Sequence, residues 1–323
     1  MRLARLAATA LTLSISAAPA LAADARDHAF IVGPGLPMEI VDLVTERAAR
    51  AGAPPARVER MGTPEAVAAF CAGTGPAHPD ALGTLRPLTV EETAACAANG
   101  VTAPRAVPLL MDAAVLVAAA DGPLAGLTAA QLHRAVAREL EVGGRLVPNP
   151  HRTWRDIDPA LPDLPIALVL PPPQSGTWVF FADRVLEPAC AAQPALHAMP
   201  AERKREICRA ARTDAVVPTA PAAVRTVATI AERPGAVGLI GYPFAVLNGK
   251  GLRMLALDGV APERAAVASG AYPLSRPLTL LIKAGAEQGN PGMAALLAEL
   301  APGRALGDTG YLATTSPLPP PAR

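Results

Sequence analysis

The sequence predicts an α/β protein of two similar halves, with mainly parallel sheets covered by helices on both faces. First, short apolar strands alternate along the chain with helical stretches, a pattern typical of such sheets. Second, a unit of strand, tight loop and helix start occurs twice, at residues 28–50 and again from residue 166. Third, 323 residues, of which 51% are apolar and 18% charged, are enough to bury the cores of two domains.

The first unit starts with a strand at residues 28–32, which runs into a Gly-Pro-Gly loop. Apolar side chains at Ile40, Val44 and Ala48 then recur at helical spacing. The second unit starts with a strand at residues 166–170. Further strands are predicted at residues 113–119, 236–240, 253–257 and 278–282, and further helices at residues 129–139, 201–212 and 292–299.

In the second unit a run of prolines leads into Ser175-Gly176-Thr177, and Trp178 then opens a helical stretch. In open α/β sheets the ligand lies outside the carboxyl ends of the strands, where loops lead into helix N-termini. Such a terminus has unpaired backbone N–H groups and the positive end of the helix dipole, which together favour an anion. If the two halves face each other, their loops converge on one cleft.

Charge and composition exclude several classes of partner. With 29 basic and 28 acidic side chains, the chain lacks the excess of positive charge that binding to nucleic acid or to an anionic membrane surface requires. Aromatic residues make up 3% of the chain, so a site that stacks sugars or bases has few residues to draw on. A small, non-aromatic ligand is favoured, with no nucleic-acid partner.

The first 22 residues have the features of an export signal. Arg2 and Arg5 precede an uncharged stretch that ends in Ala20-Leu21-Ala22, a small-x-small cleavage site. An uncleaved N-terminal anchor is the alternative. We expect a mature protein that is soluble and periplasmic, with a disordered tail at residues 316–323, which contain four prolines.

The four cysteines form two pairs that are close in sequence, which suits disulfides in an oxidising compartment. Three pairings are open, and the preference for short loops favours Cys71 with Cys96 and Cys190 with Cys208. In the chain-entropy model each such bridge contributes about 3 to 4 kcal/mol.

The usual signatures of enzymes are absent from the sequence. It contains no GxSxG, HExxH, GxxxxGK[ST] or GxGxxG motif, and its five histidines include no i, i+4 pair. A Ser/His/Asp triad can still assemble from distant residues. We nevertheless expect no catalytic residues, no metal and no cofactor.

A series of short motifs recurs in order along nearly the whole mature chain. The stretches are residues 70–71, 79–80, Arg86, 91–96, 99–101, Trp154, 157–162, 172–177, 207–208, Arg212, Asp214, 234–238, 241–242, 258–262 and 269–278. In this order they resemble the periplasmic phosphate-binding proteins of Pst-type ABC transporters, in particular the branch with two internal cysteine pairs. The resemblance implies a type II periplasmic binding fold, in which two lobes joined by two crossovers close on an oxyanion.

By this resemblance the lobes comprise residues 23–112 with 246–315, and residues 113–245. Ser175, Gly176 and Thr177 match the family's hydroxyls and amides at a helix start, and Arg86 matches its basic position. The ligand-binding residues implied are Gly35, Leu36, Thr63, Arg86, Ser175, Gly176 and Thr177.

The chain also departs from the family pattern. The first loop has Pro34, Gly35 and Leu36 where the family has hydroxyls, and Leu85 replaces a serine before Arg86. The loss of two hydroxyls removes roughly 3 to 6 kcal/mol of binding free energy, or about two to four decades in affinity, unless other groups compensate.

Two further charged residues have open interpretations. Glu65 either opposes an anion in the cleft, or pairs with Arg86, or is a solvated residue at a helix start. Arg276 is interpreted as a structural residue, because Pro273 and Pro277 mark a turn into a strand.

The expected function is that of a monomeric extracytoplasmic solute-binding protein. It captures a small oxyanion, phosphate first, and delivers it to the permease of an ABC importer. The alternative is a divergent binding-fold protein that has lost phosphate binding and recognises another small solute, or acts as a sensor or interaction protein.

Overall fold

The computed structural model describes residues 26–173, 175–218, 223–233, 235–300 and 312. The expected export signal at residues 1–22 and the expected tail at residues 316–323 lie outside the described residues. In this part of the chain strands and helices alternate, which confirms the predicted α/β class.

The strands follow one another along the whole described chain. They are β1 (Phe30–Gly33), β2 (Arg57–Arg60), β3 (Ala81–Thr84), β4 (Arg105–Ala119), β5 (Gly126–Leu127), β6 (Glu139–Val142), β7 (Arg145–Pro148), β8 (Ala167–Leu170), β9 (Val216–Pro218), β10 (Ala236–Gly241), β11 (Leu252–Met254), β12 (Ala256–Leu257) and β13 (Ser275–Ile282).

The helices lie between them. They are α1 (Gly35–Arg50), α2 (Thr63–Cys71), α3 (Val90–Ala98), α4 (Ala129–Val136), α5 (Trp154–Ile157), α6 (Gly176–Phe181), α7 (Glu187–Ala191), α8 (Ala201–Arg209), α9 (Ala223–Glu232), α10 (Tyr242–Asn248), α11 (Arg264–Ser269) and α12 (Pro291–Glu299). A π-helical turn, Ala182–Leu186, joins α6 to α7 without a break, and a short 3₁₀ turn occupies Pro194–Leu196.

One mixed sheet runs through the molecule in the order β2-β1-β3-β13-β4-β10-β8-β9, and β11 also pairs with β4. The outer strands are parallel to their neighbours, as expected for strand-loop-helix units. The two long central strands, β13 and β4, are antiparallel to theirs. Two small sheets, β5 with β12 and β6 with β7, lie outside this path.

Strand β4 is shared by the two halves of the sheet. Its first part pairs with β13 as far as Ala113, and its second part pairs with β10 from Ala114 to Val117. Every residue from Leu109 to Ala118 is buried, including Asp112. A strand that is buried on both faces normally consists of a continuous run of apolar residues, so a carboxylate within it is exceptional.

The start of α1 packs directly against the end of β3. A Cβ atom built on Gly83 would lie 2.9 Å from Cβ of Pro37, a separation that real side chains do not adopt. Glycine at this position therefore lets α1 close onto the sheet beside the carboxyl ends of β1 and β3.

The core divides into separate clusters. Two lie on opposite faces of the first half of the sheet, one around Ile31 and Met38 and the other around Phe70 and Leu82. The largest fills the second half, and residues of β11, β12 and α11 and the segment up to Leu274 pack into it.

Both preferred disulfides are confirmed. Cys71–Cys96 joins α2 to α3, and Cys190–Cys208 joins α7 to α8. Across the described ranges no helix combines the length and the apolar character that a membrane span requires.

Candidate functional site

The corner Ser175-Gly176-Thr177 lies where the loop after β8 turns into α6. Ser175 is the N-cap of α6, since its hydroxyl accepts a hydrogen bond from the Trp178 amide at 3.2 Å. Its own amide donates to the Pro172 carbonyl at 2.9 Å. The first turn of a helix leaves its amides without intrahelical acceptors, and those of Gly176 and Thr177 find none among the described residues.

These two amides make the corner a candidate anion site. The residue at Gly176 is exposed, and a Cβ atom built on it would meet nothing within 4 Å. The N-terminus of α6 therefore faces open space, with two N–H donors and the positive end of the helix dipole. Ser175 serves as a cap as well as a candidate ligand, so the two sequence interpretations of it are compatible.

A buried guanidinium lies beside this corner. Nη2 of Arg276 is 3.5 Å from Oγ1 of Thr177, and the guanidinium carbon is 5.1 Å from the ring centre of Phe180 on the same helix. Arg276 lies near the start of β13, where the sequence predicts a structural residue after a turn. Its contact with Thr177 makes it an additional candidate site residue.

Arg276 is paired with Asp112, which lies opposite it on β4. Its Nε donates to Oδ2 of Asp112 at 2.8 Å, and the two side chains are 2% and 1% exposed. Burial raises the pKa of Asp112, and the charge of Arg276 opposes that rise. The pair places a fixed positive and a fixed negative group at the boundary between the two halves of the sheet.

The start of α1 offers backbone amides but no hydroxyl. Its N-cap is Pro34, which provides no side-chain cap, and Pro37 in the first turn has no N–H group. Gly35 is exposed, and its amide and that of Leu36 are the donors this turn can present. The side chain of Leu36 packs against the apolar cluster that contains Met38.

The start of α2 is closed by its own carboxylate. Oε2 of Glu65 lies over Gly62, the N-cap residue, where a side chain on Gly62 would stand. Thr63 is half-buried in the same turn. Among the three interpretations of Glu65, its position favours a residue that neutralises its own helix start.

Arg86 is engaged by contacts within its own half. Its two terminal nitrogens each donate to a different oxygen of Glu92 at 2.7 Å, and Nη1 also donates to the Pro87 carbonyl at 2.8 Å. The hydrogen bond with Glu92 raises the pKa of Arg86. The side chain is 41% exposed, and Asp183 of the second half is near enough to contribute to the same shift.

The structure thus brings part of the predicted set together. Ser175, Gly176 and Thr177 form one corner, and the partner that contacts it from the other strands is Arg276 rather than Arg86. Sequence reasoning missed Asp112 as the partner of Arg276. The one signal available was a single carboxylate inside the apolar run at residues 107–120.

Two halves that share one strand, with helix starts presented at the carboxyl ends of their parallel strands, define a binding protein of the two-lobed α/β class. The chain belongs to the PBP superfamily, because the family model described as a PBP superfamily domain matches residues 18–302.

Among curated proteins the chain is similar to Protein SphX of Synechococcus elongatus. The two are 24% identical over 219 residues, which cover 66% of this chain and 55% of SphX. The alignment thus spans little more than half the length of that relative.

Solved structures share the fold. A possible phosphate binding protein from Planctomyces limnophilus is 22% identical, with a TM-score of 0.64 over 90% of this chain and 93% of its own. PstS from Borrelia burgdorferi is 15% identical, with a TM-score of 0.63 over 90% of this chain and 100% of its own. An ABC-type phosphate transport receptor from Vibrio cholerae is 18% identical, with a TM-score of 0.59 over 88% and 99%.

Proposed function

We propose that this chain is an extracytoplasmic solute-binding protein that captures a small oxyanion, phosphate first, and delivers it to the permease of an ABC importer. The observation that carries the proposal is the start of α6. Two backbone amides there lack acceptors among the described residues, and a buried guanidinium lies beside the same turn. Helix-start amides with a neighbouring arginine are a recurrent way to bind phosphate and similar anions.

The structural neighbours support phosphate as the first ligand to test. The protein from Planctomyces limnophilus is a possible phosphate binding protein, and that from Vibrio cholerae is an ABC-type phosphate transport receptor. The same fold here places a helix start and an arginine side by side, which is the chemistry that such a ligand needs.

In this proposal the two halves act as lobes. We retain residues 23–112 as part of the first lobe and residues 113–245 as part of the second. Because the segment from Leu252 to Leu274 packs into the large cluster of the second half, we extend the second lobe to include it. Strand β4 and the start of β13 then form the connection about which the lobes move.

We place the protein in the periplasm as a monomer. Two disulfides support an oxidising compartment, in line with the export signal expected at residues 1–22. Fractionation of cells that express the full chain tests this placement. Recovery of the protein with the cytoplasmic fraction, with all four cysteines reduced, would contradict it.

The direct test is a titration of the purified protein with phosphate. Trp178 lies in the first turn of α6, so its fluorescence should respond when the corner is occupied, and calorimetry gives an independent signal. We expect saturation at low micromolar phosphate. Silence through millimolar phosphate, with an intact fold, contradicts the proposal and favours a divergent member with another solute.

A further inference from the structure

Unpaired polar atoms cluster at the boundary between the two halves. In the described part of the chain five buried side-chain atoms lack a hydrogen-bond partner. Three of them belong to neighbouring residues, Oδ1 of Asp112, Oγ of Ser275 and Nη1 of Arg276. Asp112 and Arg276 lie opposite each other in the ladder between β4 and β13, and Ser275 precedes Arg276.

The guanidinium of Arg276 has donors to spare. Its five N–H groups form a rigid fork, of which Nε–H is bonded to Asp112 at 2.8 Å. Nη2 reaches Thr177 only at 3.5 Å, which is at the outer limit of a hydrogen bond, and Nη1 has no partner among the described residues. Arg276 is 2% exposed, and burying a cation with unpaired donors costs free energy. Its free donors therefore need an explanation.

The surroundings show where the free donors are directed. The Phe180 ring covers the guanidinium at 5.1 Å, and Asp112 fixes its Nε edge. Nη2 thus faces the first turn of α6, where Thr177 accepts and the amides of Gly176 and Thr177 have no acceptor among the described residues. A guanidinium fork, two amides and a hydroxyl at one place match the oxygens of a tetrahedral anion.

We propose that Arg276, held by its buried counter-ion Asp112, is the cation that binds the oxyanion, and that Arg86 is not. This assignment rests on the proposed function and names the charged residue of that same site. Arg86 has its terminal nitrogens engaged by Glu92 and by a backbone carbonyl, whereas Arg276 has them available. The anion is therefore held by one strand at the boundary and one helix start of the second half.

The test compares phosphate affinity by calorimetry in the wild-type chain and in Arg276→Gln, Arg276→Lys and Arg86→Gln. A hydrogen-bonded charge contributes about 1.5 to 3 kcal/mol, so Arg276→Gln should weaken phosphate binding about 10- to 150-fold. Arg276→Lys should recover only part of the loss, because an ammonium lacks the planar fork. Arg86→Gln should stay within about threefold of the wild type, since its charge is already matched by Glu92.

Two further variants keep the test decisive. Arg105→Gln removes an exposed arginine of β4 and serves as the matched control for loss of one positive charge. Because Arg276→Gln leaves Asp112 buried without its counter-ion, the double variant Asp112→Leu with Arg276→Met removes the whole pair. Replacement of a buried ion pair by apolar residues is often neutral for stability. The double variant should keep a cooperative melting transition and lose phosphate binding.

The proposed function and the assignment of Arg276 are contradicted by different results. A wild-type chain that is silent towards phosphate, arsenate and sulfate overturns the proposed function, and the assignment of Arg276 with it. A wild-type chain that binds phosphate, with a folded Arg276→Gln variant that binds equally well, overturns the assignment alone. So does a loss of binding in Arg86→Gln as large as that in Arg276→Gln.

Discussion

The two halves of the molecule treat their candidate anion-binding groups in opposite ways. In the first half neighbouring carboxylates engage two of these groups: Glu65 covers the start of α2, and Glu92 occupies both terminal nitrogens of Arg86, whereas the start of α1 still presents the amides of Gly35 and Leu36. At the start of α6, by contrast, two amides lack acceptors among the described residues, and the Arg276 beside them retains free donors.

This difference shows that a residue's type and position are not enough to make it a ligand. Arg86 follows the carboxyl end of β3, Arg276 lies near the start of β13, and both have a carboxylate partner. Arg86 is half-exposed and is paired through both terminal nitrogens. Such a pair contributes little to the free energy of unfolding, and Glu92 already balances the charge of Arg86. Arg276 is paired through Nε alone in a buried setting, where each remaining donor matters.

The largest effect is expected when the buried pair is broken on its carboxylate side. Asp112→Asn leaves the guanidinium of Arg276 buried without a counter-ion, and removal of one partner from a buried pair costs about 3 to 5 kcal/mol. Urea unfolding should show that loss in the free energy of unfolding. Phosphate should stabilise this variant more than it stabilises the wild type, because the bound anion replaces the missing charge.

The control for this prediction is the double variant Asp112→Leu with Arg276→Met, which should recover most of the lost stability and show no stabilisation by phosphate. If Asp112→Asn lowers the free energy of unfolding by less than about 1 kcal/mol, the buried pair contributes no more than an ordinary surface ion pair. The pairs of Arg276 and Arg86 would then not differ in stability.

Acid should destabilise the second half through a different residue. His133 on α4 is 4% exposed with no partner for Nε2 among the described residues, and burial, together with the charge of Arg134, lowers its pKa from 6.5 to about 4. Between these values the unfolded chain binds a proton that the folded chain does not. Stability is therefore lost as the pH falls from 6.5 towards 4, by up to about 3 kcal/mol.

Urea unfolding at neutral pH and near pH 4.5 measures this loss, with the wild type compared with His133→Leu. The variant should lose clearly less stability on acidification. His197→Gln, at an exposed position, is the matched control and should retain the wild-type acid dependence. An unchanged acid dependence in His133→Leu would show that carboxylates, rather than this buried imidazole, govern acid stability.

A third test compares one hydroxyl from each half. Thr177→Val removes the hydroxyl beside Arg276 and should weaken phosphate binding by about 1.5 to 3 kcal/mol, or roughly 10- to 150-fold, if the hydroxyl bonds the charged ligand. The melting temperature should change little, because the helix is capped by Ser175. Thr63→Val, in the turn that Glu65 closes, should cost several times less. A larger loss of phosphate affinity in Thr63→Val than in Thr177→Val would show that the anion binds in the first half.

The sequence predicted those features that depend on neighbouring residues. The strand-loop-helix joints, the Ser-Gly-Thr turn and both disulfides follow from local pattern and short loops. The pairing of Arg276 with Asp112 does not, because the two residues are 164 positions apart and meet only when β13 pairs with β4. No local rule shows that one strand is shared by both halves, and the turn signals at Pro273 and Pro277 indicate only the turn into β13.

The pairing of Arg86 with Glu92, in contrast, could have been predicted from the sequence. Thr89 and Glu92 form a capping box at the start of α3, in which each side chain bonds the other's backbone amide. The spacing of threonine and glutamate three residues apart is a sequence signature of that motif. It places a fixed carboxylate six positions after Arg86, close enough to pair with it.

The smallest expected effect comes from breaking this exposed pair. Glu92→Gln keeps an acceptor for the Thr89 amide but removes the charge that engages Arg86, and it should cost about 1 kcal/mol or less in the free energy of unfolding. Since the hydrogen bond from Arg86 lowers the pKa of Glu92, that contribution is present above the ordinary pKa of a glutamate and fades as the pH falls below it.

The same variant also tests whether Arg86 is held back from the ligand. With Glu92 neutral, the guanidinium is free to turn towards the second half, where Asp183 of the π-helical turn already acts on it. If Arg276 alone supplies the binding charge, phosphate affinity measured by calorimetry in Glu92→Gln should remain within about twofold of the wild type, because an exposed charge is screened at ordinary salt. A rise of tenfold or more would show that Arg86 is a second ligand restrained by its neighbour, and the contrast between the halves would then lie in Glu92 rather than in the two arginines.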